Sequence, residues 1–111
     1  MTSRKMYMAN QFGTKVKQLR EEIKLPQRVV AGRLQIDSPM LSKIERGERK
    51  AKKEQIGLFA RILKADRDQL YTLWLADQLL EVVEGEALGL RALQLAEEEV
   101  EYVLKRAKQS G

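Results

Sequence analysis

Apolar residues recur every three or four positions along most of the chain, a spacing that places them on one face of an α-helix. The first stripe predicts a helix from about Asn10 to Lys24, and it consists of Phe12, Val16, Leu19 and Ile23. No segment alternates apolar and polar residues in the way that indicates a strand. Good helix formers dominate the composition, so the pattern predicts an all-α fold.

Two short helices with a tight connection are predicted next. The second helix covers about 27–34, and residues 35–37 connect it to the third. Ser38 is predicted to be the N-cap of the third helix and Pro39 its first residue, because the first turn does not need the amide proton that proline lacks. Gly47 then fits the C-cap, where a left-handed backbone is common.

Three longer stripes follow in the second half. They predict a fourth helix over roughly 53–64 and a fifth that begins at a cap, Asp66 or Asp68, and ends near Glu84. A last helix is expected from about Glu86 to Ala107. Its apolar residues step by three and four positions like a short heptad seam, and they are Leu93, Ala96, Val100, Val103 and Ala107.

Charge is divided unequally between the two halves of the chain. Basic residues outnumber acidic ones by sixteen to six in residues 1–64, whereas residues 65–111 hold five basic and ten acidic residues. A strongly basic half is typical of a domain that binds a polyanion. An acidic, leucine-rich half is typical of a segment that meets solvent on one side and protein on the other.

The composition also excludes several kinds of functional site. The chain has neither cysteine nor histidine, which excludes disulfides, thiolate chemistry and metal sites built from those residues. It contains no Ser/His/Asp set and no glycine-rich phosphate loop, and its glutamate run has no catalytic companion; that run is Glu97, Glu98, Glu99 and Glu101. We therefore predict no enzymatic activity, no cofactor and no metal. The absence of a long apolar run predicts no membrane contact and a cytoplasmic location.

One stretch, residues 27–47, carries a recognisable pattern. Gln27, Val30 and Ala31 fit Q-x-x-L-A, and Ile36 follows in the turn. Residues 41–47, which read LSKIERG, fit I-S-x-[IW]-E-x-G. In these positions the chain resembles the lambda-repressor-like, Xre-type helix-turn-helix family, and the resemblance extends over about 12–70.

The resemblance implies an all-α, lambda-repressor-like helix-turn-helix bundle with additional C-terminal helices. Residues 11–70 would form the DNA-binding domain, after a tail of residues 1–10 and before a helical extension of residues 71–111 that dimerises. The chain departs from the family pattern at Gln35, where glycine is usual, at Gly32, and at the Ser38-Pro39 opening of the third helix. The fold is expected to tolerate these departures, but the operator sequence cannot be carried over.

By the same resemblance, the third helix lies in the major groove of double-stranded DNA. The implied base-reading residues are Ser38, Met40, Ser42 and Lys43. The implied contacts to the DNA backbone are Gln27, Arg46, Arg49, Lys50, Lys52 and Lys53. A lysine can reach guanine O6 or N7 from the groove, whereas the basic loop after the helix supplies only sequence-independent attraction.

Each of these residues has a structural alternative. The lysines and arginines could simply be solvated, and Met40 could fill a gap instead of touching a thymine methyl group. Gln27 could be no more than a polar residue that opens a helix. Glu45 is expected to support the motif through a structural hydrogen bond or ion pair.

The C-terminal half is predicted to supply a dimer interface, because one helix-turn-helix buries too little of the groove for high specificity. The candidates are Leu73, Trp74, Leu93, Val100, Val103 and Leu104. The alternative is that these residues complete the core of a single chain.

The sequence thus predicts a homodimeric transcriptional regulator that binds a palindromic operator. In its size and its added helix the chain resembles both restriction–modification controller proteins and phage-type repressors. A surface that contacts RNA polymerase would indicate an activator. The rival hypothesis is an antitoxin that regulates its own operon and binds a toxin through its C-terminal helices. RNA binding is disfavoured, because the basic half lacks the aromatic platforms on which single-stranded bases stack.

Overall fold

The computed structural model describes residues 10–110, and these residues form helices and connecting segments without a strand. The α-helices are α1 (Gln11–Glu22), α2 (Gln27–Leu34), α3 (Ser38–Arg46), α4 (Ile56–Leu63), α5 (Arg67–Val83) and α6 (Gly89–Ser110). The predicted all-α fold is therefore confirmed for this part of the chain. The predicted N-terminal tail, apart from Asn10, lies outside the described residues.

Helix α3 begins one residue earlier than the sequence predicts. Asp37, and not Ser38, is the N-cap. Its backbone is extended, and its carboxylate accepts a hydrogen bond from the amide of Met40 at 2.8 Å. A carboxylate also stabilises the positive end of the helix dipole, which a hydroxyl does not. Pro39 takes the second helical position, where its missing amide proton is still not needed. Gly47 has φ 79° and ends the helix, as predicted.

The later helices start close to the predicted positions. The predicted fourth helix opens as a 3₁₀ turn, Lys53–Gln55, before α4 begins. Of the two predicted caps of α5, Asp66 is the one used, since its carboxylate accepts a hydrogen bond from the amide of Asp68 at 3.1 Å. Helix α6 begins at Gly89 and not at Glu86, because the chain first passes through turns in which Gly85 has φ 77°.

Three helix ends contain a left-handed residue that is not glycine. The φ angles of Lys24, Gln35 and Lys64 are 58°, 60° and 56°. After α2 the amide of Ile36 donates to the carbonyl of Ala31 at 3.0 Å, which closes the helix end. Gln35 therefore adopts the conformation for which related motifs use glycine, at a cost of about 1–2 kcal/mol.

The core extends from α1 to the first turn of α5. Phe12 of α1 meets Phe59 of α4 edge to face, with ring centroids 5.3 Å apart. Buried around this pair lie Val16, Val30, Ala31, Leu34, Leu41, Ile44, Ala51, Ile56, Ala60, Ile62, Leu63 and Leu70. Of these residues, Val30, Ala31 and Leu34 belong to α2, and Leu41 and Ile44 belong to α3. Apolar burial therefore fixes both short helices to the scaffold.

The described residues fall into two compact units, one that ends at Glu81 and one that begins at Val82. The first unit holds the core, α1 to α4 and most of α5. The second holds α6, whose described side chains are exposed or half-buried. The predicted domain boundary after residue 70 falls inside α5, which is one continuous helix.

A carboxylate from far along the chain caps α1. Asp77 of α5 accepts hydrogen bonds from the amides of Gln11 and Phe12 at 2.7 and 2.9 Å. Asn10 precedes the helix but makes no capping bond, and its side-chain amide donates to the carbonyl of Glu45 at 3.2 Å. The carboxylate provides acceptors for two amides that have no partner within the helix, and its negative charge interacts favourably with the positive end of the helix dipole. Helix α5 therefore stabilises α1 directly.

A buried ion pair joins α1 to α3. Glu45 is 4% exposed, and Arg20 donates to its two carboxylate oxygens from Nε at 2.6 Å and from Nη2 at 3.1 Å. Gln27, at the start of α2, donates from Nε2 to the same carboxylate at 2.9 Å. The hydrogen bond to Glu45 raises the pKa of Arg20 above its usual value. One carboxylate thus joins three helices, which confirms the structural role expected of Glu45.

The first and third helices also approach each other closely at a glycine. Gly13 is buried, and a Cβ atom at this position would overlap the carbonyl oxygens of Ile44 and Glu45. The C-terminal end of α3 therefore lies against the backbone of α1. Gly32 is also helical, but a Cβ atom there would meet open space.

We expect Gly13→Ala to lower the free energy of unfolding by about 2 kcal/mol, because the added methyl group forces two helices apart. Gly32→Ala is the matched control, and it should raise the free energy of unfolding by up to about 1 kcal/mol through helix propensity. Urea unfolding followed by circular dichroism measures both. Equal responses of the two variants would show that α1 and α3 are not in close contact.

Arg20→Ala should lower the free energy of unfolding by about 3 kcal/mol, because the Glu45 carboxylate would stay buried without its cation. Adding Glu45→Ala should then cost far less than Glu45→Ala costs in the wild type, since both changes remove one shared interaction. A double-mutant cycle of unfolding free energies measures this coupling. Simple additivity would contradict a role of the pair in holding the helices together.

Candidate nucleic-acid interface

Helix α3 presents one side to the protein and the other to solvent. Leu41, Ile44 and Glu45 are buried and hold the helix against α1 and α2. Helix α2 precedes it across the short connection of residues 35–37. Two short helices, one packed on the other, with the second free on its outer side, are the arrangement that enters a major groove.

The four predicted base-reading residues differ in how far they extend from the protein. With about 3.6 residues per turn, Lys43 lies opposite the buried stripe, with Met40 and Ser42 on its two sides. Ser38 occupies the first position of the helix, closer to the buried stripe. Lys43 is exposed and the other three are half-buried, so Lys43 is the side chain best placed to enter a groove.

The structure shows the surroundings of two further residues on the outer side of α3, Met40 and Pro39. Met40 packs partly against the core, which supports the gap-filling alternative for at least part of its side chain. Pro39 is exposed one turn before Lys43, on the outward side of α3. The sequence pattern predicts this proline only as a helix start, since its exposure depends on the register of the helix against the core.

Arg46, predicted to contact the DNA backbone, is engaged within the protein. Its guanidinium donates to the carboxylate of Glu48 from Nε at 2.5 Å and from Nη2 at 3.4 Å, and its Nη1 donates to the hydroxyl of Ser42. The hydrogen bond from Arg46 lowers the pKa of Glu48, and the nearby charge of Lys43 lowers it further. Glu48 therefore neutralises Arg46 at the end of α3, a partnership that the sequence pattern does not predict.

The basic loop after α3 is anchored at one point. Ala51 is buried, and its carbonyl accepts a hydrogen bond from Nε1 of Trp74 at 2.8 Å. The four predicted backbone contacts of this loop are all exposed, and they are Arg49, Lys50, Lys52 and Lys53. The loop thus presents four cations around a fixed apolar residue, next to the end of α3.

Two of these lysines have neighbours on α5. Nζ of Lys50 lies 3.9 Å from a carboxylate oxygen of Glu81, and Nζ of Lys53 lies 5.7 Å from the ring centroid of Tyr71. Both lysines remain exposed, and exposed pairs of this kind contribute little stability. Their charges therefore remain accessible to a polyanion.

Gln27 occupies the position predicted for a phosphate contact. One side-chain amide hydrogen is used in the bond to Glu45, so the residue also has the structural role that the sequence left open. Arg28 and Arg33 of α2 are exposed as well, although the sequence pattern predicts no role for them.

The predicted dimerisation residues lie in two environments. Leu73 and Trp74 are half-buried and pack against the core of the same chain. On α6, Val100, Val103 and Leu104 are 59%, 60% and 58% exposed. Leu93, on the same helix, is half-buried. The intrachain alternative thus describes the contacts of Leu73 and Trp74, whereas the α6 residues remain accessible.

Residues 10–110 contain no group of three or more acidic side chains arranged to hold a metal ion. None of their helices is long and apolar enough to cross a membrane.

Comparison with solved structures finds a similar fold in a protein described as a gene regulator. The crystal structure of the clp gene regulator ClgR from Corynebacterium glutamicum superposes with a TM-score of 0.55. The match covers 90% of this chain and 93% of that chain at 20% sequence identity, so the likeness concerns the fold. No curated protein matches the sequence.

Comparison with protein families identifies the first unit. Residues 11–73 match the helix-turn-helix domain family, and this range contains α1 to α4 and the candidate interface on α3. The match confirms the resemblance drawn from residues 27–47. Because it covers more than half of the 111 residues, the chain belongs to the helix-turn-helix domain family and carries a DNA-binding domain of the lambda-repressor-like class.

Proposed function

We propose that this protein is a transcriptional regulator, without enzymatic activity, that binds a palindromic operator as a homodimer. The observation that carries the proposal is the two-sided character of α3. Its inner side is fixed by buried apolar residues and the Glu45 carboxylate, and its outer side carries polar and cationic groups. A rigid helix with a free polar face is what direct readout of base edges requires.

Lys43 is proposed to read a base in the major groove. It is exposed at the centre of the outer face, from which its ammonium group can donate to guanine O6 and N7. Ser38 and Ser42 can exchange hydrogen bonds with base edges, and the exposed part of Met40 can meet a thymine methyl group. Sequence preference would then come from these four residues.

The basic loop is proposed to contact phosphates. Arg49, Lys50, Lys52 and Lys53 are exposed beside the end of α3, where they would meet the strand that borders the groove. Arg46 would join them when a phosphate replaces Glu48 as its partner. Gln27 could donate its second amide hydrogen to a phosphate while it stays bonded to Glu45. These contacts fix the register of the protein on DNA and are independent of base sequence.

The homodimer is proposed from the exposed apolar side chains of α6. Two reading helices related by a twofold axis would contact half-sites roughly 34 Å apart along the duplex. The antitoxin hypothesis uses the same surface for a different protein. A stable homodimer of the purified chain favours the regulator, whereas a monomer that assembles only with a second protein favours the antitoxin.

The proposal is tested by in vitro selection from random duplex DNA with the purified full-length chain. A palindrome whose half-sites are about ten base pairs apart is the expected result. Recovery of a single unrepeated half-site would leave DNA reading intact but contradict the dimer. Recovery of no shared sequence from a folded protein would contradict specific DNA binding.

Lys43→Ala is expected to weaken binding to the selected operator by about tenfold or more per half-site, and to weaken binding to random duplex much less. Lys52→Ala is the matched control, because it removes the same charge from the loop and not from the reading face. It should weaken binding to both duplexes by a similar factor. Fluorescence anisotropy at fixed salt measures these affinities. If both variants lost affinity equally on both duplexes, Lys43 would be a phosphate contact.

Glu48→Gln is expected to strengthen binding to operator and random duplex, because Arg46 would no longer be neutralised within the protein. It should also steepen the dependence of affinity on salt concentration, since one more cation per subunit would meet a phosphate.

Glu54→Gln serves as the control for this change. It removes the same charge from an exposed residue in the nearby 3₁₀ turn. Its effect reports the general charge of the surface, and the excess in Glu48→Gln reports the release of Arg46. Equal effects of the two variants would show that Arg46 does not bind DNA.

A further inference from the structure

Helix α6 carries a long apolar stripe, of which all but the half-buried Leu93 is exposed. The stripe follows the heptad seam, with Leu93, Ala96, Val100, Val103 and Ala107 three or four residues apart. The side chains of Val100, Val103 and Leu104 line a shallow surface depression together with Glu99. Contiguous apolar surface of this kind marks a contact with another protein surface.

Apart from Arg91 near its start, the charged residues of α6 form two blocks along the helix. An acidic block contains Glu97, Glu98, Glu99 and Glu101, and a basic block contains Lys105, Arg106 and Lys108. The boundary between the blocks lies near Tyr102, in the middle of the exposed stretch of the stripe. A helix with this pattern is complementary to a copy of itself that runs in the opposite direction.

We propose that α6 pairs with α6 of a second copy of this chain in antiparallel orientation, with the twofold axis between Glu101 and Tyr102. This register places Val100 opposite Val103 of the second copy, and Ala96 opposite Ala107. The inference rests on the proposed homodimer, and it adds the orientation and register of its interface.

Heptad positions explain why the orientation matters. With Leu93, Val100 and Ala107 at position a, Glu99 and Arg106 both fall at position g, beside the seam. In the antiparallel register Glu99 of each copy lies beside Arg106 of the other, so the pair forms twice. In a parallel, in-register dimer each block would lie next to its own copy, and glutamates would face glutamates.

The local contacts of Arg106 are compatible with this role. Its guanidinium lies 5.8 Å from the ring centroid of Tyr102, and its Nη1 donates to the Tyr102 hydroxyl at 3.4 Å. In the proposed dimer the guanidinium exchanges these local contacts for the Glu99 carboxylate of the second copy. Glu98 falls at position f, on the side of the helix away from the seam.

The orientation is tested by oxidative cross-linking of single-cysteine variants. The chain has no cysteine, so Ala96→Cys and Ala107→Cys each introduce one thiol, at exposed helical positions where a cysteine is tolerated. The two variants are mixed under reducing conditions to allow exchange and are then oxidised. A disulfide requires Cα atoms within about 7 Å, whereas positions 96 and 107 are about 16 Å apart along the helix.

Antiparallel pairing predicts a disulfide between the two different variants and little cross-linking of either variant with itself. Cross-linking of each variant with itself would establish a parallel pair and overturn the proposal, while the homodimer would stand. A dimer by light scattering without any cross-link would place the interface elsewhere and also overturn it. A monomeric wild-type chain would instead overturn the proposed homodimer.

A charge exchange tests the register independently. Glu99→Lys should raise the dimer dissociation constant by about tenfold or more, because two attractive pairs become repulsive. The matched control Glu98→Lys changes the same charge at the neighbouring residue and should have little effect. Combining Glu99→Lys with Arg106→Glu should restore dimerisation. No effect of Glu99→Lys, or no restoration by the double change, would overturn the proposed register.

Discussion

The carboxylate of Glu45 is the interaction on which the position of the candidate reading helix depends. It is buried on α3, and Arg20 of α1 and Gln27 of α2 both donate to it. A charge taken out of water in this way is stable only while its donors stay in place. The carboxylate therefore sets one relative position of the three helices, and the outer face of α3 takes its direction from that position.

Two further constraints act on the same helices. The contact at Gly13 lets α1 touch the backbone near the end of α3, and Asp77 of α5 caps the same N-terminal end of α1 from outside the motif. The anchored loop depends on α5 as well, through the bond from Trp74 to Ala51. Helix α5, the first helix of the acidic second half, therefore stabilises α1 and the loop of the basic first half.

The candidate DNA-binding surface and the surface of α6 differ in physical character. The first is cationic and rigidly attached to a core, and its own acidic residue, Glu48, balances one of its arginines. The second is an exposed apolar stripe with separated charges on a single helix. A polyanion and a second protein surface are the partners that these characters suit.

The sequence alone determined the all-α fold, the bounds of α2, the C-cap at Gly47 and the helix-turn-helix motif, because these features depend on local periodicity and capping chemistry. It also indicated the structural role of Glu45, although not its partners. Only the tertiary structure decided that Asp77 caps α1, that Trp74 anchors the basic loop and that Glu48 binds Arg46. The first two join residues far apart in the chain, and the third depends on side-chain geometry at a helix end. Neither long-range packing nor that geometry leaves a periodic signal in the sequence.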